Sequence, residues 1–253
     1  MPKYTYKSQF TTEFEFSQAK SAKTPRFTVI YIHGLCGDPW GSKPDTVKNW
    51  CEEQGIGFFR FELAGHGSDI KNFEKTDINI WKEQILEIID TLVDGNIVMC
   101  GVSLGGWLSL LAAIHRPQRV KGVLAMAPGA DFTKMVYEKA LSDSQKQQLE
   151  TEGKIAFPRD NFTYTFTRQL IESGNQNCIL DREIPIECPV QLLHGMKDSS
   201  VPWEVSPLIA GKISGKNVGI KLLKNATHRL NDETSLLELR RTLDSLFSSL
   251  EQA

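Results

Sequence analysis

An apolar run, Ile97-Val98-Met99-Cys100, leads directly into Gly101-Val102-Ser103-Leu104-Gly105, and that pentapeptide opens a helix-length apolar run over 104–115. A G-x-S-x-G sequence between a strand and a helix predicts a turn too tight for a Cβ at its flanking positions, so glycine fills them. The central serine is then held out at the strand end, and the next backbone N–H points into the same space. Such a turn needs a strand that runs into a helix packed back on its own sheet, the geometry of layered α/β proteins.

The rest of the chain keeps that rhythm. Runs at 26–32, 56–63, 120–127, 190–193 and 218–223 are rich in β-branched and aromatic residues and read as buried strands. Between them, helical periodicity appears over 45–54, where Gly55 stops it, and over 78–93, which places Trp81, Ile85, Ile88, Ile89 and Leu92 on one face. The helix over 104–115 ends at Arg116-Pro117. Further helices are expected over 205–213 and at the C-terminus, where Leu236, Leu239, Leu243, Leu246, Phe247 and Leu250 recur at core spacing. The stretch over 10–16 reads as an edge strand. The fold class that follows is α/β: a mostly parallel central sheet flanked by helices on both faces.

One stretch breaks the pattern. From Phe132 to Cys188 the chain is more polar and less regular, with helix signals over 142–152 and 164–173. A structureless loop of that length is improbable. The expectation is a core over 1–132 and 189–253, with a small helical lid over 133–188 inserted between two strands.

Composition narrows the function. The chain has 253 residues with 40% hydrophobic and 24% charged content, ordinary for a soluble globular protein. A net charge of −2 offers no basic field for nucleic acid or anionic lipid. The run over 97–114 contains a Gly-Gly pair and two serines and is read as strand plus helix rather than a membrane span. The N-terminus lacks an apolar signal core and an Arg-rich amphipathic stretch. The five scattered cysteines fit a reducing compartment, so a cytoplasmic location is expected. A reversible Cys178–Cys188 disulfide is left open, Cys100 is expected to be inert packing, and a monomer is compatible with every segment. No metal or cofactor is expected. The chain lacks C-x-x-C, H-E-x-x-H and G-x-x-x-x-G-K-[ST] spacings, and His33-x-x-Cys36 is the nearest approach to a ligand pair.

Acyl transfer needs a nucleophile, a base, an orienter for the base and donors for the oxyanion. Ser103 is the candidate nucleophile. His228, in Asn225-Ala226-Thr227-His228 after a strand, is the candidate base. Asp198, in His194-Gly195-Met196-Lys197-Asp198, is the candidate orienter, with Asp131 as the alternative. The order Ser…Asp…His is one of the known chain orders for a triad. The oxyanion donors are expected at the N–H groups of Leu104 and of Leu35, the latter in His33-Gly34-Leu35-Cys36-Gly37. His33 is read as shaping that loop, and His66, His115 and His194 as structural. Cys36, Phe132, Phe162 and Phe166 are expected to line the substrate pocket, with Met135, Val136, Phe157 and Tyr164 as further wall candidates.

With these residues in place, the chain resembles the α/β-hydrolase superfamily of serine hydrolases. Three blocks narrow the resemblance: Gly101 to Leu108 with Arg116-Pro117, Cys188 to Asp198 with Val201-Pro202-Trp203, and His228-Arg229. They are similar to the mitochondrial acyl-protein thioesterases and acyl-glucuronide esterases of that superfamily. The resemblance implies a covalent acyl-enzyme on Ser103 and hydrolysis of acyl thioesters or esters. Protein depalmitoylation and acyl-glucuronide cleavage are the activities it implies, on an acylated protein or a small molecule. Two alternatives stand beside it: a slow ligand-binding sensor on the same fold, and a serine aminopeptidase using an acid such as Glu138, Glu150 or Glu172 to hold the substrate amine.

Overall fold

The computed structural model describes residues 1–17, 26–159 and 162–251. Its centre is an eight-stranded sheet ordered β1-β2-β4-β3-β5-β6-β9-β10. The strands are β1 (Lys3–Tyr6), β2 (Phe10–Ser17), β3 (Phe27–Ile32), β4 (Gly57–Phe61), β5 (Asn96–Val102), β6 (Val120–Met126), β9 (Val190–Gly195) and β10 (Val218–Leu223). From β4 to β10 every pairing is parallel, while β2 joins β4, and β1 joins β2, antiparallel. The expected edge strand over 10–16 is therefore an inner strand. Tyr4 pairs with Thr12, so the true edge is β1, too short to stand out in the sequence.

Two cores flank the sheet, and the period of two sorts residues between them. Ile30 and Ile32 pack with Trp81, Ile85, Trp107 and Leu108 from α2 (Ile78–Thr91) and α3 (Leu104–His115). Val29 and Tyr31 face the opposite side, with Val47 and Trp50 of α1 (Ser42–Gln54) and Leu239, Leu243 and Leu246 of α8 (Glu233–Glu251). Gly55 ends α1 in a left-handed conformation at φ 67°. Leu92 is a correction: it caps α2 beyond its buried face and is 37% exposed.

Between β6 and β9 lie α4 (Phe132–Met135), α5 (Asp143–Glu152), a hairpin of β7 (Lys154–Arg159) and β8 (Phe162–Thr167), and α6 (Arg168–Gln176). The helix α5 starts on a capping box, with Ser142 and Gln145 bonding each other's backbone. The helix expected over 164–173 is a correction. Phe162-Thr163-Tyr164-Thr165-Phe166 alternates with period two and pairs antiparallel with β7, Phe157 opposite Tyr164 and Ile155 opposite Phe166. The Thr167 hydroxyl then caps α6 by accepting the Leu170 N–H. Among the described residues no helix is long and apolar enough to cross a membrane.

Parallel strands end on a common edge, and the order reverses between β3 and β5, since β3 leads outward to β4 while β5 leads outward to β6. Ligands of open α/β sheets bind at such a switch point, beyond the carboxyl ends of the strands.

Candidate active site

Ser103 stands at that reversal, between β5 and α3, with φ 55° and ψ −118°. A non-glycine residue there is strained, and strain persists only where surrounding bonds hold it. The Ser103 N–H donates to the Met126 carbonyl at 2.9 Å, and its carbonyl accepts from Gly106 and Gly129, each at 3.0 Å. The two glycines of the motif are needed for space. A Cβ on Gly101 would overlap the Gly105 carbonyl, and one on Gly105 would overlap the carbonyls of Ile32 and His33. The Ser103 hydroxyl does not cap α3 and so stays free for other work.

His228 reaches the same edge from the loop after β10. Its Nδ1 lies 2.7 Å from Asp198 Oδ2, and the Asp198 side chain is fully buried. Burial acts to raise the Asp198 pKa. Hydrogen bonds from His194 and His228, the charge of His228 and the Val201 N–H outweigh it and hold the carboxyl well below its ordinary range. The carboxylate only accepts, so His228 Nδ1 carries the proton and Nε2 keeps its lone pair.

A cavity of about 640 Å³ opens over these groups, with Ser103, His228, Leu35 and Leu104 in its wall. No hydrogen bond joins the Ser103 hydroxyl to His228 in this structure. Such bonds often tighten only in the substrate complex. Among the described residues neither the Leu35 nor the Leu104 N–H donates to a protein acceptor. The Leu35 turn is shaped from below by His33. Its Nε2 accepts the Leu63 N–H at 3.0 Å, so its Nδ1 donates to the Gly34 carbonyl at 2.8 Å. Burial pushes the His33 pKa down to about 4, against the Gly34 bond that favours the cation.

Phe132, Met135, Val136, Phe157, Tyr164 and Phe166 form one apolar side of the wall, and Tyr31, Trp40, Pro44, Val102 and Val201 add apolar surface from the core. Phe162 is in β8, but its side chain lies outside the described residues. Cys36 is a correction. Its left-handed backbone, φ 54°, leaves neighbouring Leu35 and Gly37 in the wall and Cys36 out of it, with its thiol pushed up to about 12 by burial. Asp131 is occupied elsewhere, accepting the N–H groups of Ile179 and Leu180 at 2.9 Å and so anchoring the chain that leaves α6. Glu138, Glu150 and Glu172 do not line the cavity, and the latter two pair with Arg168 on the surface. All five cysteines are free, Cys178 and Cys188 included. Among the described residues no group of three His, Cys, Asp or Glu side chains could hold a metal ion.

Sequence reading missed two features. Lys43 and Arg229 also line the cavity, and the Lys43 ammonium donates to the Arg229 carbonyl, tying α1 to the His228 loop. His194, a structural residue by its place in the sequence, has its Nε2 3.1 Å from the same Asp198 oxygen that His228 contacts. The spacing of four between His194 and Asp198, across a turn after a strand, was the available signal.

Residues 28–151 match the family described as alpha/beta hydrolase fold. The chain is 33% identical over 225 residues to the human mitochondrial palmitoyl-protein thioesterase ABHD10, covering 88% of this chain and 73% of that protein. A thermostable monoacylglycerol lipase from Bacillus sp. (strain H-257) is 24% identical over 79% of this chain and 82% of its own. The solved structure of alpha/beta hydrolase domain-containing protein 10 from mouse superposes with a TM-score of 0.87 at 29% identity, over 98% of each chain. Sheet order, strained serine turn and these relatives agree, and the chain belongs to the α/β-hydrolase family.

Proposed function

We propose that this protein is a serine hydrolase that cleaves acyl thioesters or esters through Ser103, His228 and Asp198. The observation that carries the reading is His228, which stands in the wall of the cavity that holds the strained Ser103 and is paired at 2.7 Å with the buried carboxylate of Asp198. In this mechanism Nε2 of His228 takes the hydroxyl proton of Ser103 as Oγ attacks the acyl carbonyl. The oxyanion that forms accepts the N–H groups of Leu35 and Leu104, and loss of one such donor typically lowers turnover by about 10²–10³. The tetrahedral intermediate collapses, His228 hands its proton to the departing thiolate or alkoxide, and the acyl group stays on Ser103. Water then attacks the acyl carbon as His228 takes its proton, the bond from Ser103 Oγ to the acyl carbon breaks, Oγ regains the proton from His228, and the carboxylic acid leaves.

The substrate reading follows the wall. Six apolar or aromatic side chains from α4, the hairpin and the turn between α4 and α5 suit an acyl chain. Each buried methylene contributes about 0.8 kcal/mol, so a groove of this kind discriminates chain lengths. In this reading the segment between β6 and β9 is the lid that supplies the groove. Lys43 and Arg229 in the same wall suit a leaving group that carries a carboxylate or phosphate. The relatives named for palmitoyl-protein thioesterase and monoacylglycerol lipase activity support acyl substrates for this chain as well.

The test pairs a fluorophosphonate probe with p-nitrophenyl esters and S-acyl thioesters of increasing chain length. The native protein should label and turn over, and Ser103→Ala should do neither. An active preparation that resists the probe, or an alanine variant that keeps its rate, overturns the assignment.

A further inference from the structure

The carboxylate of Asp198 has no acceptor position left. Oδ1 takes the N–H groups of Ser200 and Val201 at 2.7 and 2.8 Å. Oδ2 takes His228 Nδ1 at 2.7 Å and His194 Nε2 at 3.1 Å. A carboxylate offers about four lone-pair sites, so each is filled. His194 is fully buried at the end of β9, and its Nδ1 lies 2.8 Å from the hydroxyl of Ser206, itself buried on α7 (Val205–Lys212). Its Nε2 also lies 3.2 Å from the Val201 carbonyl. Both neighbours of Nε2 are acceptors only, so Nε2 carries the proton. Nδ1 of the neutral ring then accepts from Ser206. The two imidazoles on one oxygen therefore hold opposite tautomers, Nε2–H in His194 and Nδ1–H in His228.

We propose that His194 is a positioning residue for the triad: its Nε2–H fixes the direction in which Asp198 Oδ2 meets His228 and takes a share of that oxygen's negative charge. The inference rests on the serine-hydrolase reading above. Its physical content is a competition. A carboxylate oxygen that feeds two donors stabilises each of them less than it would one. His194 thereby limits how strongly Asp198 favours the His228 imidazolium, and keeps the ring ready to release its proton to the leaving group.

Few other charges enter. Asp38, Lys43 and Arg229 line the cavity that His228 faces. On the far side the titratable groups acting on Asp198 are the two imidazoles. Lys197, Glu204 and Lys224, on the flanking loops, are exposed.

The test is the pH dependence of kcat/KM on one short ester for the wild type, His194→Leu and His194→Gln. Leucine removes the donor and concentrates the carboxylate's charge on His228, so the acidic limb should move up by about half to one pH unit. Glutamine, whose amide N–H can replace Nε2–H, should bring the limb back towards wild type. Coincident limbs in all three proteins, a downward shift in the leucine variant, or a glutamine variant that behaves as leucine overturns the proposal. Should the leucine variant fail to fold, the imidazole ¹⁵N spectrum of the wild type decides. His194 should carry its proton on Nε2, and a His194 Nδ1–H tautomer overturns the role. A wild type that neither labels nor turns over removes the enzyme reading and this role with it. Activity with coincident limbs removes this role alone.

Discussion

The rings of His33 and His66 meet beneath the cavity with centroids 5.0 Å apart and planes tilted by 60°. Both are buried, and His66 Nε2 has no hydrogen-bond partner. Burial pushes His33 down to about 4, and burial followed by the His33 charge pushes His66 down to about 3. Both folded-state values lie below the unfolded value of about 6.5. As pH falls, the unfolded chain takes up these protons first, so the stability is complete above about 6.5 and drains away as pH falls towards 4. The loss by pH 4 should be about 3 kcal/mol or more. Urea midpoints at pH 7, 5.5 and 4 read it out, and His66→Phe should flatten the curve. A wild-type midpoint that does not move over this range contradicts the neutral pair.

The Asp198→Asn variant should separate positioning from folding. An amide offers N–H towards the ring where the carboxylate accepted, so His228 turns to the wrong tautomer and Nε2 loses its lone pair. A fall in kcat of about 10⁴ is expected, by analogy with the same change in serine proteases. Retention of more than a tenth of the wild-type rate in ester hydrolysis would shift the orienting role to another residue.

Two glycine substitutions should differ in sign. Gly105→Ala drives a Cβ into the carbonyls of Ile32 and His33, backbone atoms that cannot yield. A loss of at least about 3 kcal/mol is expected, in the range reserved for severe core overlap. Gly211, within α7, has open space around its Cβ position, so Gly211→Ala should stabilise by about 0.5–1 kcal/mol through helix propensity. Thermal melts of the two variants check both, and a Gly105→Ala protein that melts with the wild type would contradict the close approach of α3 to β3.

Chain-length preference should move with the hairpin. Phe157 lines the cavity without being fully buried, whereas Phe166 is 3% exposed and packs on Phe132 and Phe157. Phe157→Ala should therefore shift the best ester towards longer chains at little loss of stability. Each extra methylene that gains contact is worth about 0.8 kcal/mol, a factor of about four in kcat/KM. Phe166→Ala should instead destabilise by about 3–5 kcal/mol. An unchanged length profile in the Phe157 variant would place the acyl chain elsewhere.

The sheet and its serine turn were legible because they rest on local rules. Strands buried on both faces read as continuous apolar runs, and Gly101 and Gly105 mark a space restriction that any tight strand-to-helix turn imposes. The hairpin was not read, although Phe162 to Thr167 alternates aromatic and β-branched residues, because a polar setting masked the period of two. The inner place of β2 depends on pairing with β1, a tertiary choice that the ten residues around it do not encode. The depth of the Asp198 site was hidden for a related reason. His194 lies one strand end away in sequence, but its meeting with Oδ2 depends on the turn through Met196 and on Ser206 from α7 closing the far side.

The residues proposed to react, Ser103, Asp198 and His228, hang from strand ends, while Phe157, Tyr164 and Phe166 of the cavity wall ride on a two-stranded hairpin. Exchange of that hairpin for one of another length would reshape that part of the wall and leave the strand ends that carry those three residues as they stand. In the proposed mechanism, part of what the protein recognises is thereby inherited through a segment separate from the residues that react.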